Sequence, residues 1–173
     1  DEAEKEYREA IRVNPNYTKA HYNLGVLLYD SKRYDEAEKE CRETIRIEPN
    51  YAEAHSNLGV LLYNSKRYDE AEKEYREAIR VNPNYTKAHY NLGALLYDSK
   101  RYDEAEKECR EAIRINFNNA NAYINLGNLY YELKEYNKAL QEFETALELL
   151  PDNQYIRNKI ELLRQVGGIG DGP

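Results

Sequence analysis

A 34-residue period runs through most of this 173-residue chain. Residues 1–47 and 69–115 differ at only two positions, Val26/Ala94 and Thr44/Ala112, and half of that 68-residue offset is also a period. Asn-Leu-Gly begins at Asn23, Asn57, Asn91 and Asn125, and Tyr-Asp-Glu-Ala-Glu-Lys-Glu begins at Tyr34, Tyr68 and Tyr102. A fixed period of this length marks stacked repeats, each too small to bury its own apolar face. The period divides the chain into a half unit over 1–17 and four units over 18–51, 52–85, 86–119 and 120–153.

Within a unit the apolar spacing is helical rather than alternating. In the first full unit Ala20, Leu24, Leu27 and Leu28 form one stripe, and Tyr34, Ala37, Cys41 and Ile45 form another. Asp35 with Glu38 reads as a capping box for the second helix, repeated at Asp69/Glu72 and Asp103/Glu106. Pro15, Pro49, Pro83 and Pro151 close each second helix. Each unit is therefore expected to be an all-α helical hairpin. Residues 154–167 carry Ile156, Ile160 and Leu163 at helical spacing, so a last helix is expected to cap the final unit, ending at Gly167 and Gly168. The tail over 168–173 has no periodicity and is expected to be disordered.

The sequence resembles the tetratricopeptide repeat family over 1–153. Gly25, Gly59, Gly93 and Gly127 stand at that family's close-packing glycine, and Ala37, Ala71, Ala105 and Ala139 at its second-helix alanine. Tyr34, Tyr68, Tyr102 and Tyr136 stand at its aromatic. The resemblance implies a right-handed superhelical solenoid of antiparallel helix hairpins with a C-terminal capping helix. It also implies a protein-interaction scaffold, non-catalytic, that takes an extended peptide or a partner helix in the groove lined by the first helices. Departures from the family pattern are specific. His21, His55, His89 and Tyr123 replace its large first-helix aromatic, and Lys32, Lys66, Lys100 and Lys134 replace its turn glycine. A left-handed lysine there costs about 1 kcal/mol relative to glycine. Phe117 replaces a proline, so the fourth junction is expected to differ in angle.

The groove positions are Lys19, Tyr22, Asn23, Val26, Tyr29 and Asp30, repeated as Glu53, Ser56, Asn57, Val60, Tyr63 and Asn64. The third unit gives Lys87, Tyr90, Asn91, Ala94, Tyr97 and Asp98, and the fourth Asn121, Ile124, Asn125, Asn128, Tyr131 and Glu132. Asn23, Asn57, Asn91 and Asn125 share one position. A carboxamide both donates and accepts, so it can bond a ligand backbone in both directions whatever the ligand sequence. Packed helices about 10 Å apart would meet an extended chain once in about three residues. The peptide-binding candidates are these asparagines with Tyr22, Tyr90, Lys19, Lys87, Tyr29, Tyr63, Tyr97 and Tyr131. The family's carboxylate clamp is not present: Tyr22, Val26 and Asn91 stand where its Lys, Asn and Arg belong.

Other features have structural readings. The three histidines recur one per unit, too far apart to share a metal whose ligands lie about 2 Å away, and read as packing residues. Cys41 and Cys109, two units apart, read as buried thiols in a reducing, cytoplasmic setting. Lys32-Arg33 and its copies read as charges neutralised by the neighbouring Asp-Glu, and Glu38/Arg42 and Lys39/Glu43 as i,i+4 pairs. The second helix over 1–17 has no first helix before it in this sequence. Ala3, Tyr7 and Ile11 are therefore candidates for weak self-association into a homo-oligomer. The alternatives to a peptide scaffold are a self-assembling repeat protein of that kind and an engineered or excised array of repeats.

Composition excludes several classes. A net charge of −7 argues against nucleic acid and anionic membrane surfaces, and no apolar run is long enough to span a bilayer. No nucleophile motif, phosphate-binding glycine loop or zinc-binding helix occurs, so no enzyme, cofactor or metal is expected. Eighteen tyrosines against two phenylalanines and no tryptophan or methionine is the remaining oddity. Most fall on turn or core positions by period, and six line the groove.

Overall fold

The computed structural model describes residues 2–166. The expected helix end at Gly167 and Gly168 and the tail over 168–173 lie outside them. Among the described residues the secondary structure is all-helical. The helices are α1 Glu2–Val13, α2 Thr18–Asp30, α3 Tyr34–Ile47, α4 Ala52–Asn64, α5 Tyr68–Val81, α6 Thr86–Asp98, α7 Tyr102–Ile115, α8 Ala120–Glu132, α9 Tyr136–Leu149 and α10 Gln154–Val166. They belong to two compact units, Asp1–Ala88 and His89–Pro173, with the division inside α6.

The hairpin turn repeats because its backbone bonds repeat. At the end of α2, Lys32 N donates to Tyr29 O at 2.9 Å and Arg33 N to Leu28 O at 2.9 Å. This is a Schellman motif, which needs a left-handed residue just beyond the helix. Lys32, Lys66, Lys100 and Lys134 supply it, with φ of 60°, 61°, 59° and 61°. The lysines stand where glycine would be unstrained. Lys66→Gly is expected to raise stability by about 1 kcal/mol, read as a shift of the urea midpoint at unchanged slope. An unshifted midpoint would mean that the turn relaxes without cost.

The capping boxes do not form. The chain re-enters a helix at Tyr34, immediately after the Schellman turn, so Asp35 already lies in the first turn. The N-cap is Arg33, which makes no side-chain cap bond, and Arg67 and Arg101 behave alike. Asp35 and Glu36 instead place negative charge at the positive end of the helix dipole. The fourth junction carries a different cap. Asn119 Oδ1 accepts from Ala122 N at 2.9 Å, a true side-chain cap that Tyr17 and Tyr51 lack. Phe117 beside it is 72% exposed.

In the first unit α2 packs on α3 and α4 on α5, while α1 covers α2 and α3 covers α4. Helix α4 is enclosed, burying Ala52, Ala54, His55, Ser56, Leu58, Gly59, Leu61 and Leu62. Helix α3 buries only a stripe at Ala37, Cys41 and Thr44. The outer faces of the second helices are tied by ions. Arg67 Nη1 lies 2.9 Å from Glu38 and its Nη2 2.7 Å from Glu70, while Arg42 lies 2.7 Å from Glu38. Arg33 repeats this one period earlier, reaching both Glu36 and Glu4 of the preceding second helix. Charge compensation is thus partly between repeats and not only local. Glu43 turns to Arg46 at 2.7 Å rather than to Lys39.

In the second unit α7 packs on α8, α8 on α9 and α9 on α10. Ile156, Ile160 and Leu163 of α10 are buried, as its spacing required. The ionic pattern inverts here. Glu135 and Lys138 stand where Arg67 and Glu70 stand, and they pair with each other. Glu106 is met by Arg110 at 2.7 Å and by the Tyr130 hydroxyl, which donates to it at 2.6 Å.

Candidate functional site

The groove candidates lie on first helices, whose opposite sides are committed to the core. In the first unit Lys19 and Asn23 are exposed, and Tyr22, Asn57, Tyr29, Tyr63 and Lys87 are half-buried. The Tyr22 ring stands edge-on to Tyr51, centroids 5.0 Å apart. Burial pushes the Tyr22 hydroxyl above its ordinary pKa, while a hydrogen bond with Asn57 opposes the shift. Asn57 Oδ1 also accepts from Lys87 Nζ at 3.3 Å. Tyr29 leans on Tyr34 at 5.5 Å and Tyr63 on Tyr68 at 5.6 Å. Ser56, expected in the groove, is fully buried, and its Oγ meets no partner. Its small side chain sits within the enclosed helix α4 instead of standing out as Tyr22 does one period earlier.

In the second unit Tyr90, Asn91, Tyr97, Asn125 and Tyr131 are half-buried. Asn125 Nδ2 donates to Tyr90 O at 2.9 Å, which leaves its carbonyl oxygen outside that bond. Asn91 Nδ2 is buried and bonds to nothing. Tyr97 leans on Tyr102 and Tyr131 on Tyr136, each at 5.9 Å. The repeated asparagine is thus exposed at Asn23, bridging at Asn57 and Asn125, and unsatisfied at Asn91. Identical sequence positions do not give identical hydrogen bonding, because what faces each amide alternates along the chain.

The histidines hold the hairpins together. His21 Nδ1 lies 2.6 Å from Glu40 Oε2 and its Nε2 2.9 Å from Pro15 O. His55 repeats this with Glu74 at 2.6 Å and Pro49 O at 2.9 Å. His89 Nδ1 meets Glu108 at 2.7 Å. Each ring therefore faces a carboxylate of its own hairpin rather than Cys41 or Cys109. These glutamates were not distinguishable in the sequence from the other charges of the second helices. Among the described residues no group of three or more His, Cys, Asp or Glu is placed to hold a metal. Burial pushes the Cys41 thiol up to about 12, so it stays protonated and unreactive.

Ala3, Tyr7 and Ile11 are half-buried, and α1 has no fully buried residue. Within the described residues no helix is long and apolar enough to cross a membrane.

Two family models, both described as tetratricopeptide repeat, match residues 1–52, 44–80, 56–120 and 120–153. Among solved structures, pilF of Pseudomonas aeruginosa is 24% identical with a TM-score of 0.83, covering 94% of this chain and 74% of that one. YrrB, a TPR protein with an unusual peptide-binding site, is 22% identical with a TM-score of 0.71, covering 88% and 78%. The first TPR of Spaghetti (RPAP3), bound to the HSP90 peptide SRMEEVD, is 24% identical with a TM-score of 0.65, covering 68% and 93%. No curated protein gives a significant match.

Proposed function

Because the chain belongs to the tetratricopeptide repeat family, we propose that it is a non-catalytic interaction scaffold whose first-helix face takes an extended peptide. The observation that carries this reading is the repeated carboxamide. Asn23 stands exposed at the first of the four positions, and Asn57 and Asn125 are half-buried. A ligand backbone carries one donor and one acceptor per residue, and a carboxamide that reaches the surface can meet both. Two structural neighbours, YrrB and Spaghetti, are described with a peptide site or a bound peptide, which supports the same reading here. The tyrosines add apolar ring surface with a hydroxyl at the rim, suited to a half-wet interface.

Peptides selected from an unbiased display library are expected to bind the wild type. The Asn57→Ala, Asn91→Ala double variant is expected to bind them at least tenfold more weakly, since a net hydrogen bond is worth about 1 kcal/mol and two are lost. Unchanged affinity in a folded double variant would remove the asparagines from the site.

A further inference from the structure

Helix α1 is a sequence copy of α5. Residues 1–16 and 69–84 are identical, so the two helices carry the same side chains in the same order. Their surroundings differ. In α5, Tyr75 and Ala78 lie under α4 and are 2% and 0% exposed. In α1 the same two residues, Tyr7 and Ala10, are half-buried. Helix α2 packs on α1, but among the described residues the cover that α4 gives α5 has no counterpart on α1.

The molecule itself shows what fits this face, because α4 meets α5 through contacts of specific chemistry. A methyl group at Gly59 would stand 2.5 Å from Tyr75 Cε1, so the glycine backbone and the ring touch directly. His55 Nδ1 sits 2.6 Å from Glu74 Oε2. Leu62 continues the row at helical spacing and is 1% exposed. The imidazole contact recurs as His21 on Glu40 at 2.6 Å and His89 on Glu108 at 2.7 Å. Glu6 is the copy of Glu74 on α1 and is exposed. The chain's three histidines are engaged by those other glutamates, so none stands opposite Glu6.

A second copy of the chain does not supply this cover. Gly25, Gly59, Gly93 and Gly127 each already face a second helix of their own hairpin. Helix α10 stands in register with the first helices, three periods after α4. It carries Arg157, Glu161 and Arg164 at the positions of His55, Gly59 and Leu62. Glu161 would drive a long side chain into the Tyr7 ring, and such overpacking is unfavourable.

We propose that the Tyr7 and Ala10 face of α1, with Glu6 at its edge, docks an amphipathic helix of a partner protein that carries histidine, glycine and leucine at i, i+4 and i+7. The glycine lets the partner backbone meet the Tyr7 ring, the histidine donates to Glu6, and the leucine adds apolar cover. This surface lies on α1 and uses none of the groove asparagines.

The probe is a fluorescein-labelled peptide with the sequence of residues 48–65. A lactam between Glu53 and the lysine of Asn57→Lys holds it helical on the side away from His55 and Gly59. Anisotropy against the whole chain is the readout, and saturation at one site is expected. Gly59→Leu in the peptide is expected to weaken binding at least tenfold. Glu6→Gln in the protein is expected to weaken binding of the parent peptide about tenfold. The same variant is expected to leave binding of a His55→Ala peptide unchanged, because both changes remove one bond. Circular dichroism confirms that the variant is folded. Groove peptides are expected to bind Glu6→Gln as they bind the wild type, so loss of one surface is distinguishable from loss of the other. A parent peptide that does not bind at high micromolar concentration overturns the proposal. Equal binding of the Gly59→Leu peptide does so too, since it places the helix elsewhere. If sedimentation shows a dimer that Tyr7→Glu dissociates and the peptide does not, the occupant is a second copy and the partner helix falls.

Discussion

Gly59→Ala is expected to destabilise the protein by about 2 kcal/mol, whereas Gly25→Ala is expected to leave it unchanged or slightly more stable. The two glycines stand at the same place in consecutive first helices and differ only in what faces them. A methyl group at Gly59 would lie 2.5 Å from Tyr75 Cε1 and 2.7 Å from its Cδ1. That ring is 2% exposed and packed on all sides, so it cannot swing away. Overpacking of this kind costs about 1–3 kcal/mol. At Gly25 the nearest atoms are Glu40 Cβ at 3.4 Å and Cys41 Sγ at 3.5 Å, close to ordinary contact. There the helix-propensity gain of about 1 kcal/mol on replacing glycine by alanine is free to appear. Urea unfolding of both variants checks the contrast. In a Tyr75→Cys background the Gly59→Ala penalty is expected to shrink, with a coupling of more than 1 kcal/mol in the double-mutant cycle. Equal effects at Gly25 and Gly59 would refute the assignment of Cys41 and Tyr75 as the partners that set the tolerance of these two glycines.

The second large effect is a loss of stability as pH rises past neutrality, centred on His55. This ring is 6% exposed. Its two nitrogens face the Glu74 carboxylate and the Pro49 carbonyl. A carbonyl and an ionised carboxylate both only accept, so the ring satisfies both only when doubly protonated. Burial opposes the charge, but the bonds to Glu74 and Pro49 and the nearby charge of Glu77 outweigh it and hold the pKa above the ordinary 6.5. The sign follows from linkage. A folded-state pKa above the unfolded one gives stability that is complete below the unfolded pKa and is lost as pH rises through the folded pKa. Stability is therefore expected to be higher at pH 6 than at pH 9, by up to the 1.5–3 kcal/mol typical of a hydrogen bond to a charged group, about the same for a His55–Glu74 pair. Glu74→Gln removes the carboxylate and is expected to flatten this slope. Urea titrations across that range read the effect, and a slope of the same size in Glu74→Gln would assign it elsewhere.

Much of this was legible without coordinates. The period, the hairpins, the closing helix with Ile156, Ile160 and Leu163, and the left-handed lysines all follow from local rules. Helix periodicity and turn chemistry act over a few residues, and duplication repeats each signal until it is unmistakable. The same locality explains the misreading at Asp35. The capping-box pattern is present, but the Schellman turn ends at Arg33 and starts the next helix two residues too early for Asp35 to cap it.

The candidate site was legible only as a set of positions. Sequence placed Asn57 and Asn125 together by period, yet one is bridged by Lys87 and the other bonds Tyr90 O. It placed Ser56 in the groove, where the structure buries it. It offered many glutamates and could not say that Glu40, Glu74 and Glu108 are the ones that meet the histidines. Nor could it say that Lys159 reaches the Tyr131 ring. The sequence by itself determined the repeat, its helices and which face of each helix is apolar, because those depend on neighbours three or four residues away. The tertiary structure decided the partners of the histidines, the packing of the glycines and the state of each groove amide. These depend on how far one helix slides along the next, and side chains 19 to 35 residues apart are brought within bonding distance only by that packing.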